Sequence, residues 1–167
     1  SEIAGTTRDT IEEVINLDGI PLRLIDTAGL RESGDHIERE GMARTGKSIG
    51  EAELILEVFD AHEAPAFSDL AMPPSALYLR VLNKADLCDD LAARVAEVRA
   101  ITGEVPVLTA SAIHGDGLDH LAPWLRPGQT MVLLGSSGVG KSTITNALLG
   151  MERQLIRDVR EDDSRRR

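Results

Sequence analysis

Residues 131–149 read as a buried strand, Met131 to Leu134, then a glycine-rich turn, then a helix from Ser142 to Leu149. The turn, Gly135-Ser136-Ser137-Gly138-Val139-Gly140-Lys141-Ser142, matches G-x-x-x-x-G-K-[ST]. Its glycines let successive backbone N–H groups wrap a phosphate at a helix N-terminus, where the dipole favours an anion. Lys141 is then placed for the β- and γ-phosphates and Ser142 for a Mg²⁺ ion, with Thr143 beside them in the nucleotide-binding set. A strand feeding such a turn demands a sheet whose ligand edge is formed by the C-terminal ends of its strands. A second literal match, Gly41-Met-Ala-Arg-Thr-Gly46-Lys47-Ser48, follows the charged, helical Asp35–Glu40 stretch with no strand leading into it. It is read as a chance match with no phosphate-binding role.

The remaining pattern fits that sheet. Residues 11–17 and 21–26 flank Asp18-Gly19, a pair suited to a two-residue hairpin turn. Residues 36–51 have partly helical spacing, and Leu54 to Phe59 reads as a buried strand. Leu79 to Leu82 and Val105 to Leu108 are further short strands. Between them Leu87, Leu91, Val95 and Val98 form one helical stripe over 87–101, and a short helix fits 117–125. Strands alternating with helices indicate an α/β fold, mostly parallel, with the opening hairpin as the antiparallel exception. A crossover over 61–76 calls for a helix, which Pro65, Pro73 and Pro74 oppose. Residues 151–167 are expected to be a solvated, flexible tail.

Composition narrows the partners. Eighteen Lys+Arg against 28 Asp+Glu give a net charge of −10, and aromatics make up 2% of the 167 residues. A nucleic-acid interface built on a basic field or stacked rings is therefore not expected, and any phosphate contact must be local. Cys88 is the single cysteine, no apolar run approaches membrane-spanning length, and nothing resembles a signal peptide. A cytoplasmic location with no membrane partner is the default, and a start at Ser1 is expected of a fragment or a processed chain.

Two further constellations concern the base and the metal. Asn83-Lys84-Ala85-Asp86 directly follows a strand. A carboxylate there accepts both N1–H and the 2-amino group of guanine, donors that adenine lacks, while the Lys84 stem covers the base. Ser111-Ala112 follows the next strand, where backbone N–H groups could meet guanine O6. Asp26-Thr27-Ala28-Gly29 ends the second hairpin strand, with Asp26 suited to a Mg²⁺-bound water and the Gly29 N–H to a γ-phosphate. Thr6 and Thr7 precede the hairpin, and Thr7 could complete the metal shell with Ser142 and Asp26.

Together these five elements resemble the G domain of translation-factor-class P-loop GTPases, which implies a three-layer α/β fold, GTP/GDP binding with Mg²⁺, and hydrolysis of the γ-phosphate. Ile3-Ala-Gly-Thr-Thr-Arg-Asp-Thr10 and Asp26-Thr-Ala-Gly-Leu-Arg-Glu32, continuing through Asp35 to Gly41, look like the tRNA-modification GTPase MnmE (TrmE) family. Val81 to Leu87, Thr109 to Ala112, Leu134 to Ser142 and Val159 to Ser164 look like the permuted ribosome-assembly GTPase RsgA family. The chain thus reads as one permuted G domain, 1–167. It has a switch half (1–63), a seam (64–78), a base-recognition and P-loop half (79–150) and a tail (151–167). The mosaic is open to natural fusion, engineering or an assembly error.

Conventional G domains begin with the P-loop. Here it comes last, as in a circular permutation cut within switch I, and the loose switch ends predict slow turnover. Leu30 stands where many GTPases carry a water-orienting Gln. In MnmE-like proteins that role belongs to a glutamate twelve residues after the D-x-x-G aspartate, which implies Glu38. Their P-loop asparagine, which holds K⁺, corresponds to Gly138, leaving K⁺ a doubtful cofactor. The resemblance implies a tRNA-modification partner or the small ribosomal subunit. Two other readings remain open: a guanine-nucleotide switch module with negligible turnover, and a chimeric fragment without activity.

Overall fold

Alternating apolar residues at Ile11–Leu17 (β1) and Ile20–Asp26 (β2) place Ile15, Leu22 and Leu24 on one buried face, and the two strands pair antiparallel from Ile11↔Asp26 to Leu17↔Ile20. The computed structural model describes residues 11–17, 20–26, 45–67 and 71–150. The expected Asp18-Gly19 turn and the 151–167 tail lie outside them, as do Thr6, Thr7, Gly29 and Glu38. A helix over 45–51 (α1) follows, carrying Gly46, Lys47 and Ser48, so this part of the second glycine-lysine match is helical. Then come Leu54–Asp60 (β3), Leu77–Asn83 (β4), Leu91–Thr102 (α2), Val107–Thr109 (β5), Gln129–Leu134 (β6) and a helix over 141–150 (α3). Residues 117–125, expected as a short helix, hold a 3₁₀ helix, Leu118–Trp124.

The six described strands form one sheet in the order β1-β2-β6-β3-β4-β5, parallel except for the opening hairpin. Every residue of β3 and β6 is buried, which follows from helices on both faces. On one face Leu54, Leu56, Val58, Met131 and Leu133 pack with Ile144 and Leu148 of α3 and Leu118 and Leu121 of the 3₁₀ helix. On the other, Ile55, Val132 and Leu134 meet Ile49 and Ala52 at α1, while Phe59 and Leu82 meet Val98 of α2. The α2 stripe is the one the sequence suggests, with Leu91 and Val95 packed beside Val98. Leu87 instead lies exposed in a separate 3₁₀ turn, Ala85–Leu87. Asp90 caps α2 by accepting from the Ala93 N–H at 2.9 Å, and Gly103 at φ 61° ends it.

The crossover from β3 to β4 departs from the usual pattern. Its described residues, 61–67 and 71–76, contain no helix, in keeping with the three prolines there. The sheet beneath is covered by other means. Glu57, buried in mid-strand, lies directly across from Arg80 in β4 and accepts from its Nε at 2.9 Å. The Tyr78 hydroxyl also donates to Glu57, and the Arg80 guanidinium stacks 4.7 Å from the centre of the Phe67 ring. A charge buried in a strand interior is tolerated only when partnered in this way. Burial and the neighbouring Glu57 carboxylate push the Tyr78 phenol well above its ordinary value, so it stays a donor.

Candidate nucleotide-binding site

The C-terminal ends of β3, β4, β5 and β6 lie along one edge of the sheet and carry nearly all the described site residues. The loop after β6 is held tightly against the strand beside it. A Cβ on Gly135 would sit 2.4 Å from the Val58 carbonyl oxygen, so only glycine fits that approach. Val139 is buried in the main core and anchors the loop, while Ser137 and Gly138 are exposed and Ser136 is half-buried. Lys141 is 7% exposed, and its Nζ donates to the Gly135 oxygen at 2.9 Å and the Ser136 oxygen at 3.1 Å. The ammonium thus lies over the loop that the phosphates would enter. Ser142 and Thr143 open α3 with exposed side chains.

The candidates for base recognition are arranged around Asn83, which is 2% exposed. Its Nδ2 donates to the Val139 oxygen at 2.9 Å, and its Oδ1 accepts from the Ala112 N–H at 3.0 Å. Asn83 was expected to read the base. It first staples the phosphate loop to the loop after β5, with one amide hydrogen left over. The expectation for Ser111 and Ala112 also changes. The Ser111 N–H donates to the Asp116 oxygen at 3.0 Å and the Ala112 N–H to Asn83, so neither can meet guanine O6 without leaving its partner.

The Ser111 side chain has another task, donating from Oγ to Asp86 Oδ1 at 2.5 Å. His114 Nε2 lies 3.5 Å from Asp86 Oδ2. The Ser111 hydroxyl is the largest influence and lowers the exposed Asp86 carboxyl; burial comes second and opposes it, and the residue's own backbone N–H and His114 add smaller lowering effects, leaving the carboxyl below its ordinary value. The carboxylate is therefore ionised and oriented at the mouth of the site. Ile113, 76% exposed next to Ala112, offers apolar surface there that sequence reasoning missed.

Lys84 is the only non-glycine residue with positive φ among the described residues (φ 59°, ψ 35°). A left-handed lysine costs on the order of 1 kcal/mol. Its Nζ lies 2.6 Å from Oδ2 of Asp60, a residue outside every sequence motif. Asp26 ends β2 opposite Leu133 of β6, two residues before Gly135, so its backbone belongs to the same edge.

Gly140, at φ 98°, binds this arrangement together sterically. A Cβ on it would sit 2.3 Å from Asn83 Nδ2. Gly140→Ala is expected to destabilise the protein by about 1–3 kcal/mol from backbone strain and displacement of the Asn83 staple. Thermal melting without nucleotide measures this, and an unchanged midpoint would refute the clash.

Comparison with known proteins gives two family matches. The model described as RsgA GTPase matches residues 75–167, and the one described as 50S ribosome-binding GTPase matches residues 1–84. They overlap over β4 and the residues flanking it. The tRNA modification GTPase MnmE of Natranaerobius thermophilus is 43% identical over 138 residues, covering 78% of this chain and 30% of that protein. The small ribosomal subunit biogenesis GTPase RsgA of Methanosarcina acetivorans is 45% identical over 120 residues, covering 72% of this chain and 31% of that protein. The chain therefore spans under a third of the length of these relatives. A solved structure, YjeQ from Thermotoga maritima, is 24% identical, with a TM-score of 0.44, covering 58% of this chain and 38% of that one.

Proposed function

Because the chain belongs to the RsgA GTPase family through residues 75–167 and to the 50S ribosome-binding GTPase family through residues 1–84, we propose that this GTP-binding GTPase domain hydrolyses GTP at the β6 edge. The observation that carries the reading is the Asn83 staple, which joins the phosphate loop at Val139 to the loop after β5 at Ala112, whose Ser111 hydroxyl holds Asp86. Phosphate and base elements held by one buried side chain fit a nucleotide better than either fits a separate ligand.

In this reading Asp86 accepts from guanine while the Lys84 stem and Ile113 cover the two faces of the base. The 135–140 backbone and Lys141 hold the phosphates. Ser142, Asp26 and Thr7 are hard oxygen donors of the kind a small divalent cation takes, and Ser142 and the end of β2 share one sheet edge. Mg²⁺, when bound, neutralises charge on the β- and γ-phosphate oxygens. The Gly29 N–H meets the γ-phosphate, and Glu38 orients the attacking water. Gly138 supplies no side-chain oxygen for K⁺, so none is assigned.

Chain order supports a circular permutation. The last of the described strands, β6, lies between β2 and β3 in mid-sheet and carries the phosphate loop that conventional G domains place first. The two family matches meet at 75–84, next to the crossover whose described residues hold no helix, which supports a mosaic of two related G domains with its seam at 64–78. By kinship its biological setting is tRNA modification or small-subunit biogenesis. With a net charge of −10, RNA contact would come through a partner rather than through this domain's own field. No helix among the described residues is long and apolar enough to cross a membrane.

Glu38→Ala separates a hydrolase from a binding switch. Phosphate release is expected to fall about 100-fold or more, with GTP affinity within twofold of wild type. Unchanged phosphate release would favour the switch module.

A further inference from the structure

Asp60 is the last residue of β3 and stands in register with Asn83, the last residue of β4. Its side chain is 8% exposed and both carboxylate oxygens are engaged. Oδ1 accepts from the His62 N–H at 2.9 Å, and Oδ2 accepts from Lys84 Nζ at 2.6 Å. The adjoining Ala61 N–H donates to the Asn83 oxygen at 2.8 Å, so the ends of β3 and β4 are locked together at this point. Lys84 reaches Asp60 from a left-handed backbone that a lysine adopts only when its surroundings over-determine it.

We infer that Asp60 is a positioning residue for guanine-nucleotide recognition, fixing the Lys84 stem across one face of the base site. This rests on the proposed nucleotide reading and extends it to a residue outside the base motif. A free lysine has several rotatable bonds and a strongly hydrated head. Tying its ammonium to a nearly buried carboxylate fixes the four-carbon stem before the base arrives, which lowers the ordering cost of binding. The carboxylate itself never touches the nucleotide. Its effect should therefore appear in affinity, equally for GDP and GTP, and only while Lys84 is present.

The test is a cycle of Asp60→Asn, Lys84→Met and the double variant in the full chain, titrated with a fluorescent GDP and, separately, with GTP during turnover. Asp60→Asn keeps the shape, and Lys84→Met keeps the stem without the anchor. Each single variant is expected to weaken GDP binding about tenfold, and the double variant no further, because both break one link. In Asp60→Asn the GTP concentration giving half-maximal rate should rise by the same factor with the maximal rate unchanged, a split that general structural damage would not produce. Additive losses in the cycle, or a wild-type affinity in Asp60→Asn, would overturn the role of Asp60 alone. A wild-type chain that binds neither GDP nor GTP would overturn the nucleotide reading and this role with it. Asp60→Glu, which keeps the charge, is the companion should Asp60→Asn fold poorly, and its affinity is expected between those of wild type and Lys84→Met.

Discussion

Lys141→Ala is expected to remove the stabilisation that GTP gives this protein. At a ligand concentration of about 100 times Kd, binding raises stability by about 2.7 kcal/mol. For a domain of this size that is a thermal shift on the order of 5–10 °C. Loss of one charge-assisted contact to each of two phosphates weakens affinity at least about 100-fold. The same GTP concentration then stabilises by only about 0.4 kcal/mol, roughly 1 °C. The nucleotide-free protein should change far less. Lys141 Nζ donates to carbonyl oxygens of its own loop, and the exposed Ser137–Gly138 tip gives water a route to those carbonyls. Melting curves with and without GTP separate the two effects. A GTP-dependent shift in Lys141→Ala equal to that of wild type would show that the loop does not bind the phosphates.

Why the phosphate loop was legible and its neighbours less so has a physical cause. A cradle of N–H groups at a helix start needs glycines at fixed spacing with a strand before and a helix after, and all of that is local in sequence. The mostly parallel sheet was legible for the same reason, since buried strands and turn residues are written within a few positions. The Asp60–Lys84 pair spans 24 residues, and the Asn83–Val139 staple 56. Neither is visible until the β3/β4 and β3/β6 registers bring the ends together. The motif alone points the N–H groups of Ser111 and Ala112 at the base, because it does not show the Asp116 carbonyl and the Asn83 amide oxygen already facing them. Glu57 illustrates the converse. In the sequence it is a charge interrupting an apolar run, and only Arg80 directly opposite and Tyr78 beside it explain its burial.

Asp86→Asn is expected to move base preference from guanine to xanthine. Guanine presents two donors, N1–H and the 2-amino group, to a side chain that must supply two acceptors. Xanthine replaces the amino group with a carbonyl, so it presents one donor and one acceptor, which a carboxamide complements. A site built to hydrogen-bond one pattern rejects the other by several powers of ten. The ratio of GTP to XTP affinity is accordingly expected to fall on the order of 10³–10⁴-fold, with ATP excluded throughout. The Ser111 hydroxyl decides how clean that change is. It donates to Oδ1 of Asp86, so in the variant the amide oxygen faces Ser111 and the NH₂ takes the place of Oδ2. Removing that hydroxyl as well, in Ser111→Ala/Asp86→Asn, lets the amide rotate and should blunt the XTP preference. In wild type the same hydroxyl keeps Asp86 ionised to lower pH than an ordinary carboxyl. A carboxyl whose folded-state pKa is depressed keeps its full grip above the ordinary value of about 4 and loses it only as pH falls through the lower folded value. Guanine selectivity in wild type should therefore be as strong at pH about 5 as at neutrality. Competition between GTP, XTP and a labelled GDP measures both effects, and a GTP-to-XTP ratio unmoved by Asp86→Asn would place base recognition elsewhere.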